Sequence, residues 1–382
     1  MKGKNNKSIA IVGSRGIPNC YGGFEKFTEY LSKALSKKGI LVWVSCEKSH
    51  VENPPKEYFG VKLFYFPVKP PSSTLARNLY EFIYDGYSLL WAARKVDVIC
   101  MLGYSAAFWF FIPKLFGKKL WVNPDGMEWK RSKFNPLIRF LLKVCEKLAV
   151  FWADEIVADS NAIKRYFDSH YSISAQFIPY GARILSKKIS WDSEKLPERI
   201  RGVTPNPSYW LVVARLEPEN NIHTIVEAYV KSNVEKPLLV VGKFTSSEYK
   251  AKVMDIVNQK PEKQVIFAGG IYNFESLNML RQNCFAYIHG HSVGGTNPSL
   301  LEIMGMKTVI LAHGNPFNKE VCADSAVYFE DADDLKEKLE LVDSNIEDFL
   351  ELKEKAYQRV RKEYSWDEVV EDYESLIQKV ES

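Results

Sequence analysis

The stretch HGHSVGGTNPSLLE, His289 to Glu302, sets two glycines, small hydroxyl and amide residues and a proline between an apolar run (Phe285, Ala286, Tyr287, Ile288) and a helical stretch. Packing alone does not ask for that composition. Backbone amides around Gly294, Gly295, Thr296 and Asn297, ahead of a helix start near Pro298, suit an anion. Glu302, about one turn into the helix, repels a phosphate but can accept hydrogen bonds from sugar hydroxyls. The ligand that meets both conditions is a phosphate carrying a polyol, as in a nucleoside diphosphate. His289 and His291 lack H-E-x-x-H spacing and read as a strand terminus, so no metal is expected.

Three other loops carry chemistry-bearing residues. In GSRGIPNCYGGFE (13–25), Gly22 and Gly23 let backbone amides approach a ligand, with a helix start near Phe24 behind them and Arg15 and Glu25 on either side. A plain tight turn would use the same glycines. The spacing is not G-x-G-x-x-G, which counts against a dinucleotide site. In NPDGMEWKR (123–131), Asp125 and Glu128 offer polar groups, Trp129 a stacking surface, and Lys130 and Arg131 anion contacts; an ordinary Asp-Gly turn is the rival reading. In ARLEPENN (214–221), Arg215 follows an apolar run directly, and Lys243 holds the corresponding place after PLLVVG. Arginine suits bidentate phosphate contacts, and two cations at corresponding strand ends argue against a stray surface charge.

The elements that must position these loops read as alternating strands and helices. SIAIVG, ILVWVS, VKLFYF, DVICML, KLWVN and EIVADS are strand-like in the first half; YWLVVA, PLLVVG, QVIFAG, FAYIHG and TVILA are strand-like in the second. Helical spacing marks 24–39, 75–94 and 134–152. Such alternation predicts doubly wound, mostly parallel sheets, whose ligands bind beyond the carboxyl ends of the strands. The polar, proline-containing stretch 181–208 reads as a linker. We therefore expect two Rossmann-like domains facing across a cleft: 1–185, and 186–364, with a C-terminal helix at about 365–382 packing back on the first. In the 134–152 helix, Leu137, Leu141, Val144, Leu148 and Phe151 form a stripe that reads as core-facing.

Length and composition fit this picture. The 382 residues exceed the usual size of one domain, and 46% hydrophobic with 26% charged residues is globular. A formal net charge of +4 without long like-charge blocks argues against nucleic acid. Six scattered cysteines without C-x-x-C suit reduced thiols in the cytoplasm. The opening MKGKNNK is too short a lead to be a secretion signal, and the greasy run from Ser105 is broken by Pro113 and Gly117, so no transmembrane helix is expected.

Taken in order, GSRGIPNCYGGFEKFTEYL, NPDGMEWKR, RLEPENN and GGTNPSLLE resemble the motifs of glycosyltransferase family 4, retaining enzymes of the two-domain GT-B fold. Among its members they look like bacterial rhamnosyltransferases of cell-surface polysaccharide synthesis. The resemblance implies that Arg215 and the amides of Gly294, Gly295, Thr296 and Asn297 bind the donor diphosphate, with Lys243 as the cation standing in for the family's lysine, that Glu302 holds the ribose, and that Gly22 and Gly23 lie beside the diphosphate and the acceptor. It implies that Asp125 sits near the transferred sugar, with Arg15, Tyr21, Glu25, Glu128 and Trp129 on the acceptor side. The implied co-substrate is dTDP-L-rhamnose, with no further cofactor and no metal. The implied acceptor is a saccharide or a lipid-diphosphate-linked sugar, reached by peripheral contact at the inner face of the plasma membrane. Two departures stand out: Asn220 replaces the family's usual lysine, and Gly294 replaces the first of its two glutamates. The second loss suits a deoxy-sugar donor. A family 4 glycosyltransferase using a UDP- or GDP-linked sugar, a nicotinamide-dependent oxidoreductase, a GT-B epimerase and a non-catalytic sugar-nucleotide sensor are the alternatives.

Overall fold

The computed structural model describes residues 7–19, 22–48, 53–124, 126–130, 134–185, 187–205 and 208–380. The chain divides into two compact units: Met1–Gly181 with Trp366–Ser382, and Ala182–Ser365.

In the first unit the strands are β1 (Ser8–Val12), β2 (Leu41–Glu47), β3 (Glu57–Tyr58), β4 (Val61–Phe66), β5 (Val98–Leu102), β6 (Lys119–Asn123), β7 (Glu155–Ala158) and β8 (Gln176–Phe177). They lie in the order β3-β4-β2-β1-β5-β6-β7-β8, and only β3 runs antiparallel to its neighbour. β1 and β5 are buried along their whole length, as strands covered on both faces must be. The helices are α1 (Gly23–Lys37), α2 (Thr74–Ala93), α3 (Phe111–Leu115), α4 (Pro136–Trp152) and α5 (Asn161–Tyr171). A C-terminal helix, Trp366–Lys379, returns to this unit: Trp366 stacks on Tyr30 of α1 at 4.9 Å, and Tyr373 meets Phe27 at 5.8 Å.

The second unit holds β9 (Trp210–Val213), β10 (Leu238–Val241), β11 (Val265–Gly269), β12 (Ala286–His289), β13 (Val309–His313) and β14 (Val327–Phe329), in the all-parallel order β11-β10-β9-β12-β13-β14. Trp210, Ile225, Tyr229, Leu238, Ile288 and Leu311 lie in its core. The polar stretch expected as a linker packs on this unit, with Leu196 and Ile200 buried and Ser276 donating to the Lys195 carbonyl at 2.7 Å. β3, β8 and β14 escape sequence reading because two or three residues at a sheet edge carry no periodicity.

Strand order reverses between β1 and β5 in one sheet and between β9 and β12 in the other. These reversals leave a crevice beyond the strand ends, where doubly wound sheets bind ligands. The loops after β1, β9 and β12 begin there.

α4 corrects one expectation. Asn135 caps it, accepting from Ile138 N at 2.9 Å, and Leu142, Cys145, Glu146 and Ala149 form its buried face. Leu137, Leu141 and Phe151 are instead 67%, 45% and 74% exposed. At about 100° per residue these three centre roughly 130° round the helix from the buried face, with Val144 and Leu148 half-buried between them. The helix is apolar on two faces, and periodicity alone does not say which one packs.

Candidate active site

β9 and β10 end side by side, and their pairing continues beyond the strands. Ala214 N donates to Val241 O and Leu216 N to Lys243 O, both at 3.0 Å. Arg215 and Lys243 thus stand at adjoining strand ends. Gly242 makes the approach possible: its φ is +157°, and a Cβ there would lie 1.8 Å from the Ala214 oxygen. The Arg215 side chain is 57% exposed, with its guanidinium 3.0 Å from the Glu217 carboxylate. Lys243 Nζ lies 5.5 Å from the centre of the Tyr272 ring. Asn220 is buried and donates Nδ2 to the Arg215 carbonyl at 2.8 Å. Where a lysine was expected, this chain has a brace for the arginine turn.

The loop after β12 is joined to that turn. Ser292 N and Oγ both donate to the Glu219 carbonyl, at 2.9 and 2.8 Å, and Asn221 Nδ2 donates to the Gly290 carbonyl at 2.9 Å. His291 stacks on His289 with ring centres 4.3 Å apart. Burial, and then the Arg215 charge, push the His291 imidazole down to about 3. Burial likewise holds His289 well below its ordinary range. A pocket beside them is lined by His291, Gly294, Gly295, Asn297, Asn315 and Asn318, among others. Gly294 adopts φ +116°, and nothing lies within 4 Å of the place a Cβ would take. Where the resemblance leads one to expect a carboxylate, there is open space.

The helix after this loop, Pro298–Met304, does not serve as the sequence suggested. It has only seven residues, and its first turn is satisfied from within. Asn297 Oδ1 takes the Ser299 amide at 2.9 Å, and the Asn297 carbonyl takes Leu300 and Leu301 at 3.0 and 3.1 Å. Donors for an anion therefore have to come from the loop at 294–297 rather than from the helix end. Thr296 within it is buried.

Glu302 is ion-paired, with Oε2 2.6 Å from the Arg281 guanidinium and the side chains 9% and 3% exposed respectively. Arg281 lies on the helix Phe274–Asn283 and also donates to Asn278 Oδ1 at 3.1 Å and Ser299 Oγ at 3.4 Å. Ser299 Oγ in turn bonds Tyr287 OH at 2.9 Å and the Val213 carbonyl at 3.2 Å. This chain of contacts ties the helix bearing Glu302 to β9 and β12. Burial lowers the Arg281 guanidinium to about 10. Sequence reading missed Arg281, because a lone arginine in a polar helix carries no local sign of a partner 21 positions on.

In the first unit, Glu25 is 4% exposed and accepts the Arg15 amide at 2.9 Å, so this carboxylate braces the loop after β1. The Arg15 guanidinium lies 3.7 Å from Glu81. Gly22 caps α1 and Gly23 is its first residue. Tyr21, Asp125 and Arg131 lie outside the described residues. Glu128 donates its amide to Tyr104 OH at 2.9 Å, and the Trp129 indole N–H donates to Glu146 at 3.0 Å. Glu146 is fully buried on α4 and also accepts from Tyr104 at 3.3 Å and from Tyr166 and Tyr171 at 2.6 Å each. Lys143 Nζ sits 4.4 Å from the Trp129 ring centre, so an ammonium group already attends the expected stacking surface. Glu146 was also missed; inside an apolar helix it looked like any surface carboxylate.

Among the described residues, no group of three or more His, Cys, Asp or Glu side chains is placed to hold a metal ion, and no helix is long and apolar enough to cross a membrane.

Residues 197–362 match the family model described as Glycosyl transferases group 1, and residues 6–183 match one described as a domain of unknown function, DUF1972. No curated protein sequence matches the chain. Among solved structures, sucrose-phosphate synthase from Thermosynechococcus elongatus is similar, with a TM-score of 0.78 at 15% identity over 98% of both chains. Anabaena Alr3699/HepE, in a complex with UDP-glucose, matches with a TM-score of 0.75 at 13% identity over 98% of this chain and 100% of that one. A glycosyltransferase from Rickettsia africae matches with a TM-score of 0.66 at 14% identity over 98% of both. The two α/β parallel-sheet units therefore have the architecture of GT-B glycosyltransferases, and the second is similar to the group 1 glycosyltransferase family model.

Proposed function

We propose that this protein is a retaining glycosyltransferase that moves a sugar from a nucleoside diphosphate to a saccharide or lipid-diphosphate-linked acceptor in cell-surface polysaccharide synthesis. The observation that carries the reading is the meeting of Arg215, Lys243 and the 290–297 loop at the switch point of one parallel sheet, in a segment that matches glycosyltransferases. Arg215 and Lys243 take the diphosphate charge, assisted by the loop amides, and Glu302 holds the ribose. As the bond from the anomeric carbon to the diphosphate oxygen breaks, negative charge grows on the leaving group, and fixed donors stabilise it. The acceptor hydroxyl forms the new bond on the same face, and its proton passes to a departing phosphate oxygen. The charge on the leaving group is met by these cations and amides, with no metal in the step. Asp125 lies near the transferred sugar, and the first unit supplies the acceptor contacts Arg15, Tyr21, Glu25, Glu128 and Trp129. Reaching a lipid-linked acceptor places the protein at the inner face of the plasma membrane.

The donor we favour is dTDP-L-rhamnose, on the ground that the open space at Gly294 removes a carboxylate suited to a fully hydroxylated sugar. The second reading is a UDP-linked sugar, favoured by the structural neighbours described as complexes with UDP and UDP-glucose. The deciding experiment incubates the protein with dTDP-, UDP- and GDP-sugars and a lipid-diphosphate-linked acceptor, and assays the released nucleoside diphosphate. Rhamnose transfer from the dTDP donor is expected. Turnover with UDP-sugars alone would give the second reading. Binding without turnover would make the protein a sensor. Preference for a fluorescent NAD analogue over every nucleoside diphosphate would end the glycosyltransferase reading.

A further inference from the structure

α4 carries a second apolar face that its own fold does not use. Leu137, Phe140, Leu141 and Phe151 are 67%, 64%, 45% and 74% exposed and fall within about a third of the helix circumference. Trp152, at the end of α4, meets Phe111 of α3 with ring centres 6.5 Å apart, and on α3 Leu115 is also 74% exposed. A contiguous patch of this kind marks an interaction surface rather than scattered exposure.

Charge identifies the occupant. Along Pro136–Trp152 the ionisable residues are Arg139, Lys143, Glu146 and Lys147, and the one acid is fully buried under Tyr104, Trp129, Tyr166 and Tyr171. Lys147 borders the apolar stripe, Lys143 lies further round on the same side with its Nζ 4.4 Å from the Trp129 ring centre, and Lys130 precedes the helix. Near α3, Asp154 is engaged by Lys114 and Lys119, and Asp97 lies 3.9 Å from Lys118. An apolar stripe bordered by cations matches acyl chains beneath anionic headgroups, with the long lysine stems reaching back to the phosphates.

We infer that the outward face of α4 docks this protein on an anionic lipid surface, with Leu137, Phe140 and Phe151 entering the headgroup layer. The inference rests on the reading of a lipid-linked acceptor and names the surface that brings the chain to it. Its test is separate from donor chemistry.

The full chain is floated with vesicles of phosphatidylcholine containing roughly one third phosphatidylglycerol, and with vesicles of phosphatidylcholine alone. Flotation with the anionic vesicles only, weakening as salt is raised, is the expected result. Replacing Leu137, Phe140 and Phe151 together by serine lowers vesicle partitioning about tenfold or more. Lys147→Gln lowers it about fivefold. Both variants alter exposed side chains and retain the wild-type melting temperature and the thermal shift given by nucleoside diphosphate. The inference is overturned if the wild-type chain floats with neither vesicle, or if the triple variant floats equally well. It is also overturned if the triple change dissolves a dimer seen by ultracentrifugation while vesicle binding stays the same, because the face then joins two copies. Flotation without any nucleoside diphosphate shift would sink the donor reading and leave the surface standing. The reverse pattern would do the opposite.

Discussion

Arg215 is the residue on which the donor reading turns. Its backbone is fixed by Glu217 N and Asn220 Nδ2, both donating to its carbonyl, so the guanidinium projects from a braced turn. A preorganised donor aimed at a leaving group is worth about 2.7–4 kcal/mol in the transition state. Arg215→Ala should therefore lower kcat by roughly two to three orders of magnitude. It should also weaken nucleoside diphosphate binding by about tenfold or more, read as a loss of thermal shift at fixed ligand concentration. An unchanged shift would mean that the phosphates bind elsewhere. The arginine itself was legible because a cation directly after a buried strand has nowhere to go but the strand end. The role of Asn220 was not, since its partner is a backbone carbonyl that composition does not reveal.

At the scale of elements, the helix bearing Glu302 is held by a buried ion pair to the preceding helix, so the binding role proposed for Glu302 is tied to a structural one. Glu302→Gln keeps an acceptor but leaves Arg281 charged and without its counter-ion at 3% exposure. Breaking one partner of such a pair costs about 3–5 kcal/mol, whereas replacing both with apolar residues can be neutral. We expect Glu302→Gln to lower the denaturant midpoint and to weaken nucleoside diphosphate binding. The double change Arg281→Met with Glu302→Leu should recover stability but not binding. Recovery of both would remove Glu302 from the ligand site. α4 teaches a related lesson. Its 3.6-residue period correctly announced a helix, yet two apolar faces on one cylinder look alike until a neighbour covers one of them. Against the inner face lie the short turns Ala107–Trp109 and Glu128–Lys130, the second tied to it by the Trp129–Glu146 hydrogen bond.

At the scale of the whole molecule, stability should respond to pH through the histidines beside the candidate site. His289 is 1% exposed and held neutral, well below its ordinary value of 6.5. Below about 6.5 the unfolded chain takes up a proton that the fold refuses, so the stabilisation is complete above that pH and is lost as the pH falls. The slope is up to about 1.4 kcal/mol per pH unit for each such group, and His291 adds to it until about 3. The melting temperature should fall as the pH drops from about 6.5 to about 5, above the range where carboxylates titrate, and His289→Asn should flatten that fall. A profile already flat in the wild type would count against a buried neutral imidazole. Two mostly parallel sheets, the alternation of their longer strands with helices, and the loops at those strand ends followed from sequence, because period and turn chemistry are local properties of the chain. The pairing of Glu302 with Arg281, the gathering of four donors on Glu146 and the outward turn of the α4 stripe did not. Each depends on which distant surface arrives to remove water from a side chain, and only the completed packing decides that.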